Sequence, residues 1–277
     1  MRIAFLDSGV GGISVLAEAL ELMPGADYVY YADVENAPYG TKNKTKVRKA
    51  VFRAVEHLAA REIDGLVIAC NTATSIAVRD LRQEYDFPII GMEPAVKPAV
   101  EQTGEGRVLV LATALTIKED KYRRLVERLD GEDIVDSLAL SRLVEYAENF
   151  VYEKDVILPY LEQKFSAYDL GEYGTVVLGC THFPLYRNFF RRVLPGHIDI
   201  IDGNRGTIRY LRQRIKEEYS AKKVEEIGPG RGKGEINFFF SGRIDEDRTG
   251  QYLGLLDRVR EEVRITMEES ILTEGEE

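Results

Sequence analysis

Cysteine is almost missing from this chain: its 277 residues hold two, Cys70 and Cys180, 110 positions apart (180 minus 70). No paired spacing exists for a disulfide scaffold or a zinc ribbon, so both are expected to be free thiols in a reducing compartment. Long apolar runs are missing too. The longest, about Val108 to Ile117, falls far short of the roughly 18 residues that a membrane-spanning helix needs. Positive charge is not in excess: 37 Lys+Arg stand against 47 Asp+Glu, and the net charge of -10 is spread along the chain. Nucleic acid is therefore not an expected partner. The first strand-like run, Ile3 to Leu6, is broken at once by Asp7, and no apolar core with a small-residue cleavage site follows. No secretory leader is expected, and the chain reads as cytoplasmic.

What is present is enough apolar residue, 44% of 277, to bury one large core or two smaller ones. Short β-rich runs at Ile3–Asp7, Tyr28–Asp33, Leu66–Cys70, Pro88–Met92, Val108–Thr113, Thr175–Cys180 and Ile198–Asp202 alternate with helical periodicity. Ile13, Leu16, Ala17 and Leu20 recur at i, i+3, i+4 and i+7, as do Val47, Ala50, Val51 and Ala54, and Tyr122, Leu125, Val126 and Leu129. That rhythm predicts an α/β fold with largely parallel sheets, which the chain's length divides into two similar doubly wound domains; the active site is expected in the cleft between them. Glu93 to Gly106 reads as a boundary, and a second break follows Asp202-Gly203-Asn204. The first domain is expected over 1–94 plus a tail, 205–277, that returns to it with a strand at Ile236–Phe240 and an apolar helical stripe around Leu253 to Val263; the second covers 95–204. Gly228 to Gly234 reads as a linker rather than a phosphate loop, and the closing Glu-Gly-Glu-Glu as frayed.

Two strand ends are alike: Leu-Val-Ile-Ala-Cys70-Asn71-Thr72 and Val-Val-Leu-Gly-Cys180-Thr181-His182. Ligands of open α/β sheets bind at the carboxyl ends of strands, where amides and dipoles of the following helices favour an anion or a thiolate. One cysteine there could be a small core hydrophobe; two in repeated settings point to chemistry. A third strand end, Asp7-Ser8-Gly9-Val10-Gly11-Gly12, adds a carboxylate and a glycine-rich turn that does not match the dinucleotide fingerprint. A fourth segment, Asp33 to Thr41, offers Pro38-Tyr39-Gly40 after a strand.

Together these four segments resemble the glutamate racemases of the aspartate/glutamate racemase superfamily, marked by D-S-G-x-G-G, P-Y-G, C-N-T and G-C-T-H in that order. Leu111-Ala112-Thr113 to Thr116, Ile201-Asp202 and the closing Phe-Phe-Phe-Ser-Gly run extend the resemblance over nearly the whole chain. It implies racemisation without pyridoxal phosphate or metal, by one thiol on each face of L- or D-glutamate, with D-glutamate destined for peptidoglycan. Cys70 matches the thiol that attacks the D enantiomer and Cys180 the one that attacks the L enantiomer. Asp7 should assist Cys70; His182, joined by Glu145, should assist Cys180. Ser8, Pro38, Tyr39, Gly40, Asn71, Thr72, Thr116 and Thr181 match positions that hold the substrate. His182, where aspartate racemases usually carry an acidic residue, favours glutamate, while His57 and His197 read as structural. The chain departs from the family at Val34-Glu35-Asn36, at Gly203, and in lacking Cys-Pro upstream of Glu145. An aspartate racemase or another two-cysteine member of the superfamily stays open, as do a homodimer, a metal-binding regulator using Cys70, Cys180 and His182, and a racemase-like protein that binds a partner.

Overall fold

Nine short runs, most of them rich in β-branched or aromatic side chains, extend as strands: β1 (Arg2–Asp7), β2 (Asp27–Ala32), β3 (Gly65–Ile68), β4 (Ile89–Gly91), β5 (Arg107–Ala112), β6 (Val135–Ala139), β7 (Tyr173–Leu178), β8 (Asp199–Asp202) and β9 (Ile236–Phe240). The computed structural model describes residues 1–104, 106–129, 134–228 and 232–274, and the element counts refer to these. Between the strands run α1 (Ile13–Leu22), α2 (Lys44–Ala59), α3 (Asn71–Glu84), α4 (Val96–Gln102), α5 (Ala114–Lys118), α6 (Asp120–Arg128), α7 (Ser141–Glu148), α8 (Lys154–Phe165), α9 (Arg187–Val193), α10 (Asn204–Glu218), α11 (Ala221–Glu225) and α12 (Glu246–Glu274).

The strands form two sheets, ordered β4-β3-β1-β2-β9 and β6-β5-β7-β8, and every pairing is parallel. Parallel strands are covered on both faces, which is why β1 past its first residue and all of β3 are buried. In each sheet the winding reverses beside a central strand: next to β1 in the first and next to β5 in the second. Ligand crevices form at such reversals. One apolar cluster runs continuously from Phe5 and Tyr28 of the first sheet to Leu109, Leu111, Phe183 and Tyr186 of the second. Separate clusters cover the outer faces of each sheet.

The tail strand β9 pairs with β2, register Tyr28↔Ile236 to Ala32↔Phe240. The boundary segment from Glu93 to Gly106 holds the short helix α4 and leaves it through Gly104 at φ 61°. Of the stretch read as a linker, 229–231 lie outside the described residues, as do 275–277 at the frayed end. Gly234 is pinned: its N–H donates to Pro24 O at 3.0 Å, and a Cβ there would stand 1.7 Å from Ala26 O. The strand that apolar patterning misses is β6, whose centre is Asp136-Ser137; the Asp136 carboxylate takes Arg107 and Tyr173, each at 2.6 Å.

Where α1 meets β8, Glu18 is 13% exposed and 3.9 Å from Arg205. Burial first, then the neighbouring Asp202 carboxylate, raises its carboxyl to about 7. A carboxyl held above its ordinary value keeps a proton in the fold that the unfolded chain has released. Its contribution to stability is therefore lost as pH rises from about 4.5 through 7. Urea midpoints taken from pH 5 to 8 should fall for the wild type and fall less for Glu18→Gln; equal slopes would refute the assignment.

Candidate active site

The strand ends deliver the two cysteines to one place. Cys70 leaves β3 in an extended conformation (φ -78°, ψ 119°) and stands directly before α3. The Ala73 N–H of the first helical turn and the Ser8 side chain are the polar groups set toward its sulfur. These contacts favour a thiolate, yet burial and then the Asp7 carboxylate outweigh them and push the thiol well above its ordinary value. Cys70 accordingly holds its proton at neutral pH.

Cys180 stands two residues beyond β7, and its sulfur lies 3.5 Å from His182 Nδ1. The other ring nitrogen, His182 Nε2, is 2.5 Å from Glu148 Oε1. Burial disfavours the imidazolium, but the contacts with Cys180 and Glu148 outweigh it and hold His182 well above its ordinary value. The contacts around the ring thus favour the charged imidazole beside Cys180 Sγ. Sulfur, imidazole and carboxylate form a chain that reaches across to the first sheet, because Glu148 Oε1 also accepts the Val10 N–H at 3.0 Å.

That approach explains the glycine-rich turn after β1. A Cβ on Gly9 would stand 2.0 Å from Glu148 Oε1, and one on Gly11 2.6 Å from His182 Nδ1. Only hydrogen at these positions lets the Asp7–Gly12 turn seat against the Cys180–His182 turn. Asp7 itself is fully buried; it accepts the Gly9 N–H at 2.9 Å and the Thr181 hydroxyl at 3.3 Å. Burial raises its carboxyl above the ordinary range, against the pull of His182.

Ser8, Pro38, Tyr39, Gly40, Cys70, Asn71, Thr72, Thr116, Cys180, Thr181 and His182 all line one cavity, with about 20 Å³ of free space. Thr41 and Thr113, within marked segments but given no role there, and Ser141 and Val144, which no motif marked, complete the wall. Asn71 presents a buried side-chain oxygen, Oδ1, with no hydrogen-bond partner among the described residues. The two halves of the chain also approach one another here: a Cβ on Gly40 would stand 3.1 Å from that of Thr113, and Lys44 at the start of α2 meets Glu119 before α6 at 2.9 Å.

Glu145 is a correction. It is exposed on α7, and the carboxylate that reaches His182 is Glu148, three residues on. The pattern that finds it is the apolar stripe Leu143, Val144 and Ala147: Glu148 follows Val144 by four residues and borders that stripe, whereas Glu145 turns away. His57 sits between the rings of Tyr31 and Phe239, away from the cavity lining. Among the described residues no group of three or more His, Cys, Asp or Glu is placed to hold a metal ion.

Two parallel α/β sheets, their strand ends facing one another, each bring a thiol to one shared cavity. The chain belongs to the Asp/Glu/Hydantoin racemase family, whose sequence profile matches residues 12–211. It is 56% identical over 259 residues to a glutamate racemase of Halothermothrix orenii, covering 94% of this chain and 100% of that one. It is 47% identical over 268 residues to glutamate racemase 2 of Bacillus subtilis, covering 95% and 98%. Among solved structures it is similar to Escherichia coli glutamate racemase in complex with L-glutamate and the activator UDP-MurNAc-ala, with TM-score 0.75, 31% identity and coverage of 86% and 98%. It is also similar to the glutamate racemase of Campylobacter jejuni, with TM-score 0.77, 28% identity and coverage of 93% and 98%.

Proposed function

We propose that this chain is a glutamate racemase that interconverts L- and D-glutamate by proton transfer at the α-carbon between Cys70 and Cys180, with D-glutamate supplied to peptidoglycan in the cytoplasm. The observation that carries the reading is that the only two thiols of the chain line one cavity from opposite sheets. The relatives named glutamate racemase supply the substrate, as does the L-glutamate bound to the Escherichia coli structure. On this reading 1–94 with 205–277, and 95–204, act as the two domains that close on the substrate.

From L-glutamate, the Cys180 thiolate takes the α-proton and becomes a thiol, and the electron pair is left on the α-carbon in conjugation with the substrate carboxylate. The Cys70 thiol gives its proton to the opposite face. The product is D-glutamate, with Cys180 as thiol and Cys70 as thiolate, and the reverse reaction or exchange with solvent restores the start. Each thiol has its own support. The His182 imidazolium, fixed by Glu148, balances a negative Cys180; burial keeps Cys70 loaded with the proton that it must donate, while Ser8 and the Ala73 N–H stand ready for the thiolate left behind. Asn71 Oδ1 is an acceptor for the substrate ammonium, and the hydroxyls of Ser8, Thr72, Thr116 and Thr181 are donors for its carboxylates.

The purified protein, incubated with L-glutamate in deuterated water without added cofactor, should yield D-glutamate deuterated at the α-carbon. Inversion of L-aspartate in preference to L-glutamate would replace the substrate, and a requirement for pyridoxal phosphate would remove the two-thiol mechanism.

A further inference from the structure

The Pro38-Tyr39-Gly40 wall of the cavity does not stand alone. The Tyr39 hydroxyl donates to Asp33 Oδ2 at 2.6 Å, and Asp33, 3% exposed, takes two more donors on Oδ1: Asn36 Nδ2 and the Ser241 hydroxyl, each at 3.0 Å. Ser241 Oγ in turn accepts the Glu35 N–H at 3.0 Å. A residue two hundred positions away in sequence thus ties down the start of the loop that carries Tyr39, and through Asp33 it reaches Tyr39 itself.

The backbone at Ser241 makes this arrangement informative. The chain reverses immediately after β9, with Phe240 and Arg243 exchanging N–H to O bonds at 2.7 and 3.0 Å, and both central residues have positive φ: Ser241 at 47° and Gly242 at 86°. Such a turn calls for Gly, Asn or Asp at its first central position. Serine is a poor choice for the turn itself, and its hydroxyl is the part that the neighbouring loop uses.

We propose that Ser241 is a positioning residue for substrate binding: through Asp33 it holds Tyr39 and the loop 34–41 in the shape that closes the cavity. The inference rests on the racemase reading for its kinetic readout only. Burial and the Asp33 carboxylate keep the Tyr39 phenol protonated, so that it remains the donor this chain of bonds requires.

Ser241→Gly separates the two possible roles, because glycine suits the turn and removes the hydroxyl. It should melt at or above the wild-type temperature and raise KM for glutamate about 3- to 10-fold, the scale of a lost hydrogen bond, with kcat within about 2-fold. Amide hydrogen exchange should quicken over residues 34–42 and stay unchanged over 236–240. Ser241→Ala should show the same KM rise with a lower melting temperature. Unchanged KM and exchange in Ser241→Gly would overturn the proposal, as would faster exchange across the whole chain. A wild-type protein that does not turn over glutamate would refute the racemase reading, while the exchange experiment would still judge the loop's support.

Discussion

Cys70→Ser and Cys180→Ser should each lower racemisation by about 10²- to 10⁴-fold, the range over which a positioned proton donor or acceptor contributes. An alcohol in place of a thiol is too weak an acid to serve as base, yet it fills nearly the same space, so the fold should survive. The two variants should not fail alike. In deuterated water Cys70→Ser retains Cys180 with its imidazolium and should still wash deuterium into L-glutamate faster than it inverts it. Cys180→Ser keeps only the sulfur that burial and Asp7 hold in the protonated form, and should be slow in both measures from the L side. Chiral separation with mass detection of the α-position reads both. Wild-type inversion by either variant would end the two-thiol account.

Glu148→Gln should lower kcat from L-glutamate about 10- to 100-fold, as expected where a hydrogen bond to a charged group, worth about 1.5–3 kcal/mol, is lost. The carboxylate is one of the contacts that raise His182, so an amide in its place lets the imidazolium lose its proton at lower pH. The alkaline limb of the L-to-D profile should move toward acid, and the change from D-glutamate should be smaller. Glu145→Gln, on the exposed side of the same helix, should leave rate and profile within about 2-fold of the wild type. A profile that does not move in Glu148→Gln would show that this carboxylate does not set the state of His182.

The contrast between these two glutamates shows how far a sequence carries. Motifs anchored on strand ends are legible because the geometry there is local: an apolar run stops, a helix starts, and Cys70 or Cys180 must lie at the mouth. The parallel sheets follow from the same alternation of short apolar runs and helical stripes. Glu148 is different, since its partner His182 lies 34 residues on in another element, and no local rule selects it over a carboxylate three positions earlier. The helical face does, once the apolar stripe of α7 is laid out. β6 escapes for a related reason: Asp136 and Ser137 satisfy each other's surroundings through Arg107, Tyr173 and Tyr122, so that an edge strand carries polar residues where an apolar run is sought. Ser241 carries no motif of its own, and its contacts with loop 34–41 exist only because β9 pairs with β2.

The cavity between the thiols has free space for about one water molecule, far less than an amino acid occupies, and Gly40 and Thr113 face one another closely in its wall. On the two-thiol proposal each turnover contains two events of different kind: a proton transfer at the α-carbon, and a widening of the cavity that admits one enantiomer and releases the other. Solvent viscosity acts on the second alone. Isotope exchange within a bound molecule can outrun its departure, and a glutamate that leaves has had time to forget the hand with which it came.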